Sequence, residues 1–240
     1  MSSYKKEAPE TIQTMFNRIA KRYALGNAII SLGTHKIWNR ALINAIYKQK
    51  NANTLLDLCA GTGDISLPYL KEKKSPTKAY LLDFSREMLS CAKERAKKIS
   101  AQHEIHFLEA DAAAIPLPTN SVACATVAYG VRNIHERVKA FQETYRVLEP
   151  GGTFGILELT RPKNRLLGTF HHLYLKMALP LLGRLVLKDA DAYRYLSSSI
   201  EQFVEPSQLV EELKSCGFSS IKTRALFGGV ATLIVSVKNS

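Results

Sequence analysis

The pattern of apolar positions changes near residue 53. Before this point, apolar residues recur on one helical face at Ile12, Met15, Phe16, Ile19 and Tyr23. A second helix is predicted over about 35–47, after the turn at 31–34. Beyond residue 53, short apolar runs alternate with amphipathic segments. This alternation is typical of a sheet whose two faces are both covered by helices.

The predicted strands and helices define an α/β fold. Strands are predicted over 54–59, 79–83, 104–108, 122–129, 153–159, 220–227 and 230–237. Helices are predicted over 64–72, 86–100, 135–148 and 206–215. Gly228 and Gly229 join the last two strands as a hairpin, which makes the last strand antiparallel. The sequence therefore predicts a doubly wound, Rossmann-like fold with a seven-stranded, mostly parallel sheet.

Length and composition fit one globular domain. The chain has 240 residues, of which 46% are hydrophobic and 22% are charged, and this is enough apolar material for a sizeable core. We expect a single domain over 1–240, built from four segments. These are a helical cap over 1–52, a central α/β core over 53–160, a basic lid inserted after strand five over 161–204, and a C-terminal helix with a strand hairpin over 205–240.

The sequence lacks the pattern of a membrane-spanning helix. The most apolar region, 166–187, is interrupted by Lys176, Pro180, Arg184 and two histidines, whereas a spanning helix needs roughly 20 mostly apolar residues. The N-terminus carries no apolar segment of the signal-peptide type. The four cysteines are widely spaced and form no CxxC pair. These features predict a cytoplasmic protein with reduced cysteines.

The excess positive charge is confined to two segments. The net charge of +12 divides into +7 over residues 1–50 and +5 over residues 161–194. A basic surface of this kind serves nucleic acid, an anionic membrane or an anionic substrate, or it is a solvated face without a partner. Charge alone leaves all of these interpretations open.

A glycine loop follows the first predicted strand. The run 57–64 contains Gly61, Thr62 and Gly63, and its glycines let the backbone turn tightly and approach a ligand. Asp83 ends the second strand, 20 positions after Gly63, where it can accept hydrogen bonds from a ribose diol. Such strand ends form the ligand crevice of an α/β sheet. The pattern predicts a nucleoside-containing ligand.

Acidic residues around this loop favour a cationic ligand over a dinucleotide. A pyrophosphate would meet Asp64 at the start of the next helix, where an anion is otherwise favoured. S-adenosylmethionine has a sulfonium, an ammonium and no phosphate, so Asp57 and Asp64 suit it better. After the third strand, Asp111 with Ala112 adds a carboxylate for an adenine amino group. The alternative is that Asp57 only caps the loop and Asp111 only caps a turn.

Several motifs resemble one enzyme family. The glycine loop, Asp83, Asp111 and the turn at 148–152 resemble class I S-adenosylmethionine-dependent methyltransferases. More specific motifs are similar to the ubiquinone/menaquinone biosynthesis C-methyltransferase family; they lie at 16–23, 31–38, 130–133 and 189–196. The similarity runs from about residue 10 to the C-terminus.

The resemblance implies methylation of a ring carbon of a polyprenylated quinol. Demethylmenaquinol is the expected substrate, and the benzoquinol of the ubiquinone pathway is a second one. S-adenosylmethionine would be the methyl donor, and no metal is expected. The residues implied in holding the donor are Asp57, Gly61, Thr62, Gly63, Asp83, Asp111 and Ala112.

The chemistry of such a reaction suggests roles for three further residues. A phenolic hydroxyl, with a pKa near 10, needs a base or a stabiliser of its oxyanion before the ring carbon becomes nucleophilic. Arg132 would stabilise the phenolate, Asn133 would orient a hydroxyl, and Tyr23 would close over the sulfonium or relay a proton. Each has a structural alternative. Asn133 could cap the following helix, Arg132 could pair with a carboxylate, and Tyr23 could pack in the core.

A lipophilic quinol also implies contact with a membrane. The two basic segments would meet an anionic lipid surface, and the protein would lie peripherally at the inner face of the membrane. Competing functions are methylation of another small molecule or of RNA, and a non-catalytic ligand-binding subunit. An RNA substrate is disfavoured, because an Asn-Pro-Pro-aromatic motif is missing after strand four, where the run 128–131 stands instead. We therefore expect no nucleic-acid partner.

Overall fold

The computed structural model describes residues 8–47, 53–99, 101–178 and 190–239. The N-terminal cap consists of α1 (Pro9–Ile19), a 3-10 turn (Ala20–Arg22), α2 (Tyr23–Ile30) and α3 (His35–Tyr47). The core contributes α4 (Ser66–Glu72), α5 (Arg86–Ala96) and α6 (Arg137–Val147). The remaining helices are α7 (Arg165–Leu173), which continues as a π-helical turn (Tyr174–Ala178), α8 (Ala190–Gln202) and α9 (Pro206–Ser215). Among the described residues, no helix is both long enough and apolar enough to cross a membrane.

The strands form one mixed sheet. They are β1 (Thr54–Leu58), β2 (Lys78–Asp83), β3 (Glu104–Glu109), β4 (Val122–Ala128), β5 (Leu148–Leu159), β6 (Phe218–Leu226) and β7 (Ala231–Lys238). Within the described residues the sheet has seven strands in the order β3-β2-β1-β4-β5-β7-β6. Strand β7 runs antiparallel to β5 and β6, and the other pairs are parallel. The predicted fold class is confirmed.

The strand order places a ligand crevice between two strands. Chain order reverses between β1 and β4, which are neighbours in the sheet, and α/β sheets bind ligands at the carboxyl ends of such strands. Apolar clusters cover both faces of the sheet. One is built around Phe141, Phe154 and Phe218, and the other around Leu42, Leu55 and Leu81. The buried sheet therefore gives the loops at the crevice a rigid support.

Helix α1 closes over the end of β2. Its apolar face shares a buried cluster with α8 and the π-helical turn, so cap and lid pack together. Polar contacts fix the same position, because the Ser85 hydroxyl donates to Asn17 Oδ1 at 2.6 Å and the Gln13 amide donates to the Phe84 carbonyl. The cap thus lies directly above the carboxyl ends of the sheet.

Some predicted boundaries were wrong. Helix α4 begins at Ser66 instead of residue 64, because Gly63, at φ +80°, still belongs to the turn. Strand β5 begins at Leu148 instead of residue 153, because Leu148 pairs with Val122 before a bulge precedes the next pair. Pro180, Arg184 and Asp189 of the predicted lid lie outside the described residues.

Candidate active site

The glycine loop is held by the carboxylate of Asp83. Backbone φ is positive at Gly61 and Gly63, and also at Cys59, where φ is +52°. Asp83 Oδ2 accepts from the Gly61 N–H at 2.8 Å, and Oδ1 accepts from the Ser85 N–H at 2.9 Å. Burial raises the pKa of Asp83 to about 6, although these N–H donors favour its charge. Asp83 therefore shapes the loop as well as bordering the ligand crevice.

A second buried carboxylate lies beneath the loop. Asp57 Oδ1 accepts from the Thr126 hydroxyl at 2.7 Å, and Oδ2 accepts from the Ser66 N–H at 3.3 Å. Burial raises the pKa of Asp57 to about 6 as well, despite these hydrogen bonds. Asp57 thus caps the loop, as the structural interpretation predicted, and it also supplies negative charge that suits a cationic ligand.

Arg95 of α5 clamps the outer side of the loop. Its Nη1 donates to the Thr62 carbonyl at 2.6 Å and to the Thr62 hydroxyl at 2.9 Å. The same nitrogen reaches Asp64 Oδ1 at 2.7 Å. Asp64, one of the acidic residues expected to favour a cation, is therefore already paired with Arg95. This clamp was missed at the sequence level, because its donor comes from a helix 31 residues away.

Asp111 follows β3 at the edge of the crevice. Its Oδ1 accepts from the Ala113 N–H at 2.9 Å, and this is the turn cap that the structural interpretation predicted. The residue remains exposed, whereas Ala112 beside it is buried. The cap leaves the second oxygen, Oδ2, available for a ligand amino group, so the predicted contact with adenine stays a prediction.

Two narrow cavities of about 40 Å³ each lie over the glycine loop. The first extends over Asp57, Cys59, Gly61 and Asp64, and the second reaches Asp83, Phe84 and Met88. From the cap, Tyr23 lines both, and its ring lies 6.0 Å from the Phe16 ring.

The residues around this crevice fit S-adenosylmethionine. A Cβ at Gly61 would point into the gap between the Cys59 carbonyl and the Tyr23 ring, 4.0 Å from each, so the missing side chain leaves room for a ligand. Buried carboxylates below the loop suit the cationic donor. Among the described residues, no cluster of three or more histidine, cysteine or acidic side chains could hold a metal ion.

A larger apolar cavity of about 310 Å³ adjoins the loop cavities. It lies between α2, α3, the end of β5 and the lid. Its apolar walls include Ile30, Leu32, Trp38, Leu159, Leu175, Leu196, Ile200, Phe227 and Val230. The cavity shares Tyr23, Asn27, His35 and Tyr129 with the loop cavity. A ligand in the apolar cavity would therefore be next to a ligand at the loop.

Arg132 lines the apolar cavity but is tied to a buried carboxylate. Its Nη1 donates to Glu158 Oε1 at 2.6 Å, and its backbone N–H donates to Glu158 Oε2 at 3.1 Å. Burial opposes the charge, yet the facing Glu158 raises the pKa of Arg132 overall, so the guanidinium stays charged. Its buried Nε has no acceptor among the described residues. The structural alternative for Arg132 is therefore present, together with a donor left over for a ligand.

Asn133 does not cap the helix that follows. The residue at the N-cap of α6 is Glu136, and Asn133 belongs to a 3-10 turn instead. Its Oδ1 accepts from the Tyr195 hydroxyl at 2.8 Å, which links the end of β4 to the lid. Asn133 borders the loop cavity that reaches Asp83. Its predicted role with a substrate hydroxyl stays a prediction.

Tyr23, like Tyr129, lines all three of these cavities. Burial raises the pKa of its hydroxyl, and Arg132 and a hydrogen bond with Asn27 oppose this shift. Tyr23 packs against Phe16, as the core interpretation predicted, and it also lines both the loop cavity and the apolar cavity. A neutral tyrosine at this junction suits contact with a cationic group through its ring.

Several site residues were missed at the sequence level. Tyr129 has φ +57° and donates its hydroxyl to Asn39 Oδ1 at 2.7 Å. Glu158 and His35 were also missed. The motif at 31–38 contained His35, but only the folded cap brings that histidine to the crevice.

Comparisons with known proteins identify similar chains. The sequence profile of the ubiE/COQ5 methyltransferase family matches residues 2–238. Demethylmenaquinone methyltransferase of Protochlamydia amoebophila (strain UWE25) is 48% identical over 239 residues, which make up 99% of each chain. Ubiquinone/menaquinone biosynthesis C-methyltransferase UbiE of Escherichia fergusonii is 32% identical over 229 residues, covering 95% of this chain and 91% of that relative.

A solved structure agrees with the fold. The SAM-dependent methyltransferase from Aquifex aeolicus superposes with a TM-score of 0.60 at 18% identity, over 83% of this chain and 88% of that one. At this identity the likeness concerns the fold alone.

Proposed function

Because this chain belongs to the ubiE/COQ5 methyltransferase family, we propose that it methylates a ring carbon of a polyprenylated quinol, with demethylmenaquinol as the substrate. The family resemblance predicted from the sequence motifs is confirmed. S-adenosylmethionine supplies an electrophilic methyl group when it is bound. The relative at 48% identity is named for demethylmenaquinone and the one at 32% for both quinone pathways, and this supports the naphthoquinol.

The observation that carries the proposal is the apolar cavity beside the glycine loop. A quinol head with an isoprenoid tail is large and apolar, and a cavity of about 310 Å³ walled by aliphatic and aromatic side chains suits it. Two residues of the wall, Arg132 and Trp38, each keep one buried N–H without an acceptor in the described part of the chain. A buried donor without a partner costs about 1–3 kcal/mol, and oxygens of a bound quinol would relieve this cost.

The chain's residues supply alignment and charge. Asp83 and Asp57 fix the loop below the donor, and Tyr23 closes the crevice from above. Arg132, kept charged by Glu158, stabilises the oxyanion that develops on the ring hydroxyl. The buried walls exclude water from the reacting groups and hold the ring carbon in line with the methyl group.

A methyl-transfer assay tests this function. The purified protein is incubated with methyl-labelled S-adenosylmethionine and reduced short-chain demethylmenaquinone, and a benzoquinol analogue is tested in parallel. Mass spectrometry then reports a methyl group on the ring carbon. Asp83→Ala should abolish transfer, and Glu211→Gln, an exposed change on α9, should not alter it. If neither quinol is methylated although the donor binds, the acceptor is another small molecule or RNA.

We further infer that the protein docks peripherally on an anionic membrane. Leu166, Phe170 and Leu173 lie at i, i+4 and i+7 of α7 and are 69%, 62% and 51% exposed. Lys163 and Arg165 on the same segment are exposed as well. An apolar helical face flanked by bases is typical of attachment to anionic lipid.

Sedimentation with liposomes tests the membrane contact. Binding to vesicles with phosphatidylglycerol should exceed binding to neutral vesicles and should weaken as salt is raised. Phe170→Glu should reduce binding severely, whereas Val138→Glu, at an exposed apolar position on α6, should not. Binding that depends on neither anionic lipid nor salt would contradict this inference.

A further inference from the structure

His35 lies where the two kinds of cavity meet. It is the first residue of α3, and it lines both the loop cavity and the apolar cavity. Its Nδ1 is 2.6 Å from Ser31 Oγ, and Ser31 Oγ is 2.7 Å from the Asn27 carbonyl oxygen. The ring is therefore oriented by a short chain of hydrogen bonds from the end of α2.

The hydrogen-bond donors determine which nitrogen carries the proton. A carbonyl oxygen only accepts, so the Ser31 hydroxyl must donate its proton to the Asn27 carbonyl. Ser31 Oγ then accepts from Nδ1–H of His35. The neutral ring has its lone pair on Nε2, which has no hydrogen-bond partner among the described residues.

The surroundings keep this ring neutral. Burial lowers the pKa of His35, Lys36 lowers it further, and Asp64 opposes both. The titratable and charged groups around the same cavities are Tyr23, Asp57, Cys59, Asp64, Tyr129, Arg132, His171 and Tyr174. Asp57 and Cys59 line the loop cavity but do not border the apolar cavity. A neutral imidazole with a free lone pair is a general base at neutral pH.

We propose that Nε2 of His35 accepts the proton of the quinol ring hydroxyl during methyl transfer. This inference rests on the proposed function. As the O–H bond breaks, its electron pair moves into the ring. The ring carbon then forms a bond to the methyl group, and the electron pair of the methyl–sulfur bond stays with sulfur. The ring C–H proton then goes to water, and His35 returns its proton to the oxygen. One proton is released overall, and the imidazole is regenerated.

Other side chains around the cavity serve this role less well. Burial raises the pKa of the Tyr23 and Tyr129 hydroxyls, so both stay protonated, and Asp64 is paired with Arg95. His171 borders the apolar cavity but not the loop cavities. Within the described residues, His35 is the histidine that reaches both.

Substitution of His35 by Asn tests the proposal. The Asn amide N–H can replace Nδ1–H toward Ser31, while the base at Nε2 is lost. We expect kcat to fall on the order of 10²- to 10⁴-fold, with KM and the affinity for S-adenosylhomocysteine changed less than about threefold. Added imidazole should restore part of the activity of His35→Gly. In the wild type, kcat should rise as the pH is raised through a pKa that lies below the ordinary value of histidine. This rise should be missing in His35→Asn.

Control and spectroscopic measurements separate this proposal from the proposed function. His106→Asn, at a half-buried histidine on β3 that lines none of these cavities, should leave kcat unchanged. Nitrogen NMR of labelled protein should find His35 as the Nδ1–H tautomer, whatever the acceptor. Retained kcat in His35→Asn or an Nε2–H tautomer would overturn the role of His35. A wild type that methylates neither quinol would instead overturn the proposed function.

Discussion

Arg132 and Glu158 form a buried ion pair directly beneath the apolar cavity. The two side chains are 5% and 1% exposed, and Nη1 lies 2.6 Å from Oε1. Glu158 also accepts from the backbone N–H groups of Arg132 and Leu159. Its two oxygens therefore bind both the guanidinium of Arg132 and the backbone of the turn to which Arg132 belongs. The pair thus fixes the position of the cationic group expected to face the quinol oxygen.

Removal of Glu158 should destabilise the protein and impair catalysis. Glu158→Ala leaves a buried guanidinium without its counter-charge, which typically costs about 3–5 kcal/mol. Urea unfolding measures this cost. Glu205→Ala, which breaks the exposed pair with Arg161, should cost less than about 1 kcal/mol. Equal losses in the two variants would contradict the proposed importance of burial.

The buried carboxyl of Asp57 should make stability depend on pH in an unusual direction. Its pKa is raised from 3.8 to about 6, so between these values the folded state binds more protons than the unfolded state. Its contribution is therefore fully present below about pH 4 and is lost as pH rises to 6, with a total change of about 3 kcal/mol.

Comparison with Asp57→Asn isolates this contribution. The amide resembles the protonated carboxyl and does not titrate. The unfolding free energy of the wild type minus that of Asp57→Asn, measured in urea from pH 4 to pH 7, should fall as pH rises. The same difference taken with Glu211→Gln, at an exposed position, provides the reference profile. Parallel profiles for wild type and Asp57→Asn would show that the carboxyl is not buried in this way.

Local sequence patterns were sufficient for the fold and for locating the glycine loop at the crevice. Apolar runs locate the strands, and Asp83 stands out as a carboxylate at the end of a predicted strand. Both signals could be read because each is contained in a few neighbouring residues. The partners of Arg95 and Arg132 were not predictable in this way. Each contact joins elements that meet only after the sheet and cap have assembled, so no local pattern marks it.

Backbone strain was equally hidden in the sequence. Cys59 and Tyr129 follow β1 and β4 at the crevice, and both have positive φ, a conformation that favours glycine. The surrounding hydrogen bonds, such as that from Tyr129 to Asn39, hold this conformation. Propensity would place glycine at such positions, so tertiary contacts override it.

The Arg95 clamp should tune cofactor affinity more than stability. Arg95→Met removes the hydrogen-bond donor to Thr62 and Asp64, which loosens the loop proposed to bind S-adenosylmethionine. We expect the affinity for S-adenosylhomocysteine to fall about tenfold, equivalent to about 1.4 kcal/mol. Calorimetric titration measures it. Lys93→Met, an exposed change on the same helix, is the control. If the two variants bind S-adenosylhomocysteine with equal affinity, the Arg95 clamp does not contribute to binding.

Gly130 should tolerate no side chain, and the reason is steric. Its φ of −105° is open to any residue, but a Cβ would come within 2.5 Å of Cys59 Cβ and 2.8 Å of its Sγ. Gly130→Ala should therefore cost about 1–3 kcal/mol and weaken donor binding, because Cys59 belongs to the loop. The double variant Cys59→Gly/Gly130→Ala removes the contact with Cys59, leaving Val127 Cγ2 at 3.2 Å, and also relieves the positive φ at residue 59. It should therefore regain part of the lost stability and binding. As a control, Gly168→Ala should be neutral or stabilising, because the atom nearest to its added Cβ would be 3.4 Å away. If the double variant regains neither stability nor binding, the steric explanation is contradicted.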